Sequence, residues 1–331
     1  MQTRKRYIFY VIWGLTTLGL GWCLLQGYYT FDAKATLPAL LGLFICTMAL
    51  LWCLSDLGLD DSAGTATTRR GRFGLFIVIA VGVLFPLRTL VGPPLLFALP
   101  VLGIILLIIM RPKFKNQEIV YALGLALVAG VAGFGAEWIF FPPGLWAVLQ
   151  VALVLTGLLA GWGVLKHTGL SRAGVGRNLY LERGAAPAMQ SFAQGMLISM
   201  PWAFANVVMG GANGDTWPYA WWQPFVAIQP AIAEEAWGRV LLVPVLFLAF
   251  RQVARTKVAL TAAILITGYW FAYLHTPGGL GAIFSTLMMG TLYALPISYL
   301  WLRHGLETAI GFHFWIDFVK FVAAFFLNRG L

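Results

Sequence analysis

The run LWAVLQVALVLTGLLAGWGVL, Leu145–Leu165, decides the fold class. It is 21 residues long and carries no charge. At about 1.5 Å per residue a helix of this length covers about 30 Å, the thickness of a bilayer's hydrocarbon core. Similar runs follow one another along the chain. Of its 331 residues, 60% are hydrophobic and only 10% are charged, where a soluble domain carries about 25% charged residues. The sequence therefore predicts an all-α, polytopic transmembrane helix bundle and excludes a soluble globular fold.

About eleven spans are expected, at 7–27, 37–57, 73–91, 94–110, 118–139, 145–165, 187–209, 222–250, 258–275, 280–302 and 306–327. Basic clusters occupy every second connection: Arg4–Arg6, Arg69–Arg72, Arg111–Lys115, Lys166–Arg183, Arg251–Lys257 and Arg303. The alternate loops, VGPP, FFPPG, GGANGDTWPY and TPGG, lack Lys and Arg. Positive loops stay in the cytoplasm, so the N-terminus is placed there, and an odd span count puts the C-terminus outside. The net charge of +10 thus reads as topology signals, not as a nucleic-acid face. The polar stretch Lys166–Gly184 is too short for a core and reads as an amphipathic surface segment. Cys23, Cys46 and Cys53 show no ligand or disulfide spacing and read as small apolar filler. Arg88 and Glu137 lie near span ends, where snorkelling accommodates them.

The other intramembrane charges gather near the C-terminus. IAEEAWGRV, Ile232–Val240, sets two carboxylates and an arginine inside an apolar run. Glu235 and Arg239 are four apart and share a helix face, where each neutralises the other. Glu234 points about 100° away with no partner in its own helix. An ionisable group without a partner in a membrane is a functional candidate by default. GYWFAYLHTP holds Phe271 and His275, and GFHFWIDF holds His313 and Asp317, each pair again four apart. Three successive helices thus offer polar groups to a common interior. Residues 1–184 form N-terminal transmembrane helices with no role assigned, and 185–331 carry the chemistry.

EEAWGR, FAYLH and HFWID, in that order on successive helices, resemble the EExxxR, FxxxH and HxxxN/D motifs of the CAAX protease and bacteriocin-processing family. That family, also called Abi or CPBP, includes the type II CAAX prenyl endopeptidases. The resemblance covers about residues 220–327. It implies a glutamate-dependent intramembrane endopeptidase with Glu234 as catalytic glutamate and His275 as its partner in activating water. It further implies that His313 and Asp317 serve the oxyanion, with Glu235, Arg239 and Phe271 in support. Asp317 stands where the best-known prenyl proteases carry asparagine. An ionised aspartate accepts from His313 but cannot donate to an oxyanion, so orienting His313 suits it better.

The chemistry of the residues agrees. Peptide hydrolysis needs an activated water, a proton acceptor and a donor at the developing oxyanion, and no Ser or Cys nucleophile with a helical His partner is evident. No cofactor is expected. Glu234, His275 and His313 would make a workable zinc set, although no HExxH is present. The implied partners are the lipid bilayer and a membrane-associated protein or peptide, lipidated or not. The implied location is a prokaryotic cell membrane. The same charges also suit a proton-coupled transporter or a non-catalytic membrane scaffold. Starting the helix at Pro230 puts Glu234 one turn from the outer membrane face; if QPFVAIQ is helical, Glu234 lies nearer mid-membrane.

Overall fold

A computed structural model describes residues 2–29, 32–54, 88–134, 142–171, 174–276 and 281–330. Residues 73–87 of the expected span at 73–91, the basic cluster at Arg69–Arg72 and Glu137 lie outside them, as does the side chain of Arg88. The described chain is all-α. Helices α1 (Gln2–Leu25) and α2 (Ala33–Leu54) come first, then α3 (Arg88–Met110), α4 (Asn116–Gly133) and α5 (Pro143–Thr168). A short α6 (Leu179–Arg183) leads into α7 (Ala185–Ile198) and α8 (Met200–Val208). The glutamate-bearing helix is composite: a 3₁₀ turn (Gln223–Ala227), α9 (Ile228–Glu234), a π segment (Glu235–Leu242) and α10 (Val243–Phe250). Then come α11 (Thr256–His275), α12 (Gly281–Met289), a second π segment (Gly290–Ala294), α13 (Leu295–His304) and α14 (Leu306–Asn328).

Among the described residues seven helices, not eleven, are long and apolar enough to cross a membrane. They make this an integral, multi-pass membrane architecture. Two of the expected spans are divided, for physical reasons. The expected 187–209 span is interrupted at Ser199, because Pro201 follows at the start of α8 and cannot donate into a continuous ladder. The 222–250 span changes helix type three times. The expected loop VGPP lies inside α3, which also takes in the span expected at 94–110.

Two close helix contacts fix the interior. In α5, Gly157 and Gly161 face the backbone of the first π segment. A Cβ on Gly161 would lie 2.0 Å from the Val240 carbonyl oxygen, and one on Gly157 would lie 3.2 Å from that of Ala236. On α7 and α14 the contact is reciprocal: a Cβ on Gly195 would strike the Thr308 carbonyl, and one on Gly311 that of Phe192. Small residues four apart are how membrane helices bring backbones together. Helix α14 becomes the hub, packed on α7, α8, α9 and α13.

The basic connections gather at one end of the bundle. Lys166 pairs with Glu118 at 2.7 Å and donates to the Lys113 carbonyl. Arg251 donates to the Thr168 carbonyl, and Arg303 to that of Leu54. Lys5 lies over the Trp52 ring. Beyond the end of α5, the described part of the stretch up to Gly184 holds turns and the short α6, and it caps the start of α14. The Leu306 amide donates to the Arg177 carbonyl at 3.0 Å. The buried Glu307 carboxylate accepts from the amides of Leu179 and Tyr180 at 3.1 and 2.9 Å. At the other end Tyr219, Trp221 and Trp222 are exposed, as interfacial aromatics are. There Asn328 donates to the carbonyls of Asp215 and Pro218. Among the described residues the cysteines form no disulfide, and Cys46 is buried.

Candidate active site

The composite helix sets the site's chemistry. Gln223–Ala227 is helical, so Glu234 lies well inside the bundle rather than one turn from its end. Glu234 closes α9 and Glu235 opens the π segment. In a regular α-helix these neighbours diverge by about 100°. At this widened turn both reach the same imidazole on α14. His313 Nδ1 lies 2.9 Å from Glu235 Oε1, and its Nε2 lies 3.6 Å from Glu234 Oε2. π turns of this kind occur often at functional sites.

Each of the three expected helices contributes. His275, at the end of α11, places Nε2 3.4 Å from Glu234 Oε1. Its Nδ1 is 2.8 Å from the Phe271 carbonyl oxygen. A carbonyl only accepts, so Nδ1 carries a hydrogen, and in the neutral ring Nε2 is an acceptor. His313 differs. Both its nitrogens face carboxylates: Nδ1 faces Glu235, and Nε2 faces Glu234 and, at 3.5 Å, Asp317 Oδ2. Both are placed to donate.

Behind this cluster lies a dry ion pair. Glu235 and Arg239 are fully buried, with Arg239 Nη1 3.3 Å from Glu235 Oε1. Arg239 Nη2 reaches the Ala294 carbonyl at the end of the second π segment. Its guanidinium covers the Phe271 ring at 4.5 Å. Phe271 also lies against His275 with centroids 4.4 Å apart and planes tilted by 35°, and it meets His313 edge-on at 6.1 Å. One aromatic ring therefore spaces the arginine from both imidazoles, and its carbonyl sets the tautomer of one. The second π segment is held in turn by Trp202, whose indole donates to the Leu292 carbonyl at 2.6 Å.

Exposure separates the two halves. The side chains of Glu234 and Asp317 are 19% exposed and that of His275 34%, while His313 is 9% exposed. The first row meets solvent and the row behind it does not.

Residues 216–319 match the family described as type II CAAX prenyl endopeptidase Rce1-like. These residues form an Rce1-like domain. It contains Glu234, Glu235, Arg239, Phe271, His275, His313 and Asp317. No curated protein matches the chain, and no solved structure does. The domain spans the composite helix to most of α14, so α7, which grips α14 through Gly195, lies outside it.

Sequence reasoning pairs Glu235 with Arg239 alone and misses its hydrogen bond to His313. No α-helical spacing carries that signal. It also passes over Glu307, although a glutamate directly after Gly305–Leu306 at the head of an apolar run is visible as a buried-charge candidate. Gly157 and Gly161 were legible as a small-xxx-small pair. Both imidazoles anchor Nδ1 and turn Nε2 inward, as zinc-bound histidines do. Yet among the described residues no three His, Cys, Asp or Glu side chains are grouped to hold a metal ion.

Proposed function

We propose that this protein is an intramembrane endopeptidase in which Glu234 and His275 activate a water against a peptide bond. The observation that carries this is the pair of acceptors facing each other, Glu234 Oε1 and His275 Nε2, at 3.4 Å and partly exposed. One water donating a hydrogen to each satisfies both and presents its oxygen lone pair outward. That oxygen attacks the scissile carbonyl carbon as its proton passes to Glu234. The Nε2–H of His313 donates to the tetrahedral oxyanion. Collapse breaks the C–N bond, and the proton on Glu234 passes to the leaving amine. The products are a new carboxylate and a new amine.

The surrounding groups act through His313. Glu235 holds its Nδ1–H, Arg239 fixes Glu235, and Asp317 orients the Nε2 end. An ionised Asp317 accepts only, so orientation is its part. The catalytic unit is residues 185–331, and 1–184 shape how substrate reaches it. The substrate is a membrane-associated protein or peptide. The family name points to C-terminal CAAX tails, a cysteine followed by three residues. The basic end of the bundle, with the N-terminus, faces the cytoplasm of a prokaryotic cell.

The test is cleavage of a quenched-fluorescence peptide library by the purified chain in nanodiscs, with Glu234→Gln alongside. Wild-type cleavage that the variant lacks, at unchanged thermal stability, is the expected result. No cleavage by wild type, together with Glu234-dependent proton flux into vesicles, would replace the reading with a proton relay.

A further inference from the structure

Not every polar group of the 166–184 cap is spent on holding α14. With the start of α4 and the end of α5, the cap encloses a cavity of about 150 Å³, where a single water needs about 10–15 Å³. Glu118, Trp162, Lys166, Arg177, Asn178 and Glu182 line it, and it shares no residue with the Glu234 cluster. The Lys166, Arg177 and Glu182 side chains are 39, 37 and 39% exposed, so its mouth is wet.

The charges come in two pairs. Lys166 donates to both oxygens of Glu118 at 2.7 Å, and Arg177 donates through Nε and Nη2 to Glu182 Oε2. Two cations against two carboxylates leave no net charge, so a simple anion or cation gains little from attraction alone. Some hydrogen-bonding capacity is left over. Among the described residues Arg177 Nη1 and Glu182 Oε1 have no partner. Asn178 is only 7% exposed and uses Oδ1 to accept from the Leu181 amide, which leaves Nδ2 as a second spare donor. Spare donors beside a spare carboxylate oxygen suit a ligand that joins an anion and an N–H cation.

The position supplies the chemical class. The cavity lies at the basic end of the bundle, where α4 begins and α5 ends, the depth at which headgroups meet pockets between membrane helices. Directly after Glu118, α4 turns apolar: Ile119, Leu123, Leu127 and Val131 are exposed at four-residue spacing, a stripe on one helix face for acyl chains. We propose that this cavity binds the zwitterionic headgroup of a phosphatidylethanolamine-type lipid. Its phosphate takes Arg177 Nη1 and Asn178 Nδ2, and its ammonium takes Glu182 Oε1. The Arg177 carbonyl and the Leu179 and Tyr180 amides hold the first turn of α14, so a seated headgroup ties the lipid to the hub helix. Binding here does not depend on peptide cleavage.

The experiment is native mass spectrometry of the full chain in detergent micelles. It is titrated with dioleoyl phosphatidylethanolamine, phosphatidylcholine or phosphatidylglycerol, and with water-soluble phosphoethanolamine as competitor. A choline head has no N–H for Glu182 and is held by aromatic cages, whereas Trp162 is the one aromatic wall here among the described residues. A glycerol head has no cation. Phosphatidylethanolamine is expected to bind about tenfold tighter than either, the scale of one charge-assisted hydrogen bond. Glu182→Gln and Arg177→Gln each bring that ratio towards one. Equal binding of the three lipids, tighter binding of phosphatidylglycerol, or a preference that survives either variant overturns the proposal. So does phosphoethanolamine competing at the lipid's own concentration, which assigns the cavity to a free solute. The wild-type ranking needs no variant, so misfolding of a variant leaves the test intact.

Discussion

Two glutamates sit in the same bundle with opposite surroundings. Glu307, at the head of α14, accepts from two backbone amides and lies 3.4 Å from the Tyr121 hydroxyl, with only 4% of its surface exposed. Among the described residues Glu234 has no backbone donor, and it meets two imidazoles at 3.4 and 3.6 Å, next to solvent. The first carboxylate is saturated, so it joins the 166–184 cap to the hub helix. The second is held short of full hydrogen bonding, which leaves room for a reacting molecule. Burial of a charge alone does not mark a site; the state of its hydrogen bonds does.

That contrast can be broken by exchanging readouts. Glu234→Gln should lower peptide cleavage about 10³-fold, the scale of losing general-base catalysis, with little change in thermal unfolding in detergent. If the variant unfolds instead, Glu234 belongs with Glu307 as a structural group. Arg239→Ala leaves Glu235 buried without its cation and should cost about 3 kcal/mol of stability, read by the same unfolding assay. A variant as stable as wild type would show that His313 alone suffices for Glu235.

Glu307→Gln keeps the shape and loses the charge. A loss of about 1–2 kcal/mol is expected, with activity per folded molecule unchanged. A selective activity loss there would erase the distinction drawn above. Asp317→Asn keeps an acceptor for His313 and adds a donor, so cleavage should stay within about tenfold of wild type. A collapse to the Glu234→Gln level would mean that the negative charge itself is required. Smallest of all, prolonged treatment with a zinc chelator should leave the rate unchanged. Loss that returns on adding zinc would assign the inward-turned Nε2 atoms to a metal.

The legible part of this molecule follows from the cost of charge in oil. The charges in IAEEAWGRV had to find partners, and the apolar runs that follow offered His275, His313 and Asp317 at helical spacings. Their convergence was therefore readable before any coordinates, as was the helical class of the described residues. Three things were not readable, each for its own reason. The span count assumed one helix per apolar run, while Pro201 divides one run and the π segment divides another. The Glu235–His313 bond needs a turn wider than α, which no periodicity of 3.6 encodes. Glu307 draws its donors from the amides of a loop, and backbone donors leave no trace in side-chain patterns.

The π segment constrains how this chain can change in length. A π turn amounts to an extra residue carried within a helix. Deleting one position between 235 and 242 would restore an ordinary ladder and leave the helix beyond it in register. What it would remove is the widened turn, so the side chains of Glu234 and Glu235 would diverge by about 100° and no longer share His313. Point changes at most positions of this helix are survivable by repacking; a one-residue deletion here would dissolve the shared imidazole seat. Homologous helices should therefore vary in letters far more freely than in spacing between the paired glutamates and the arginine.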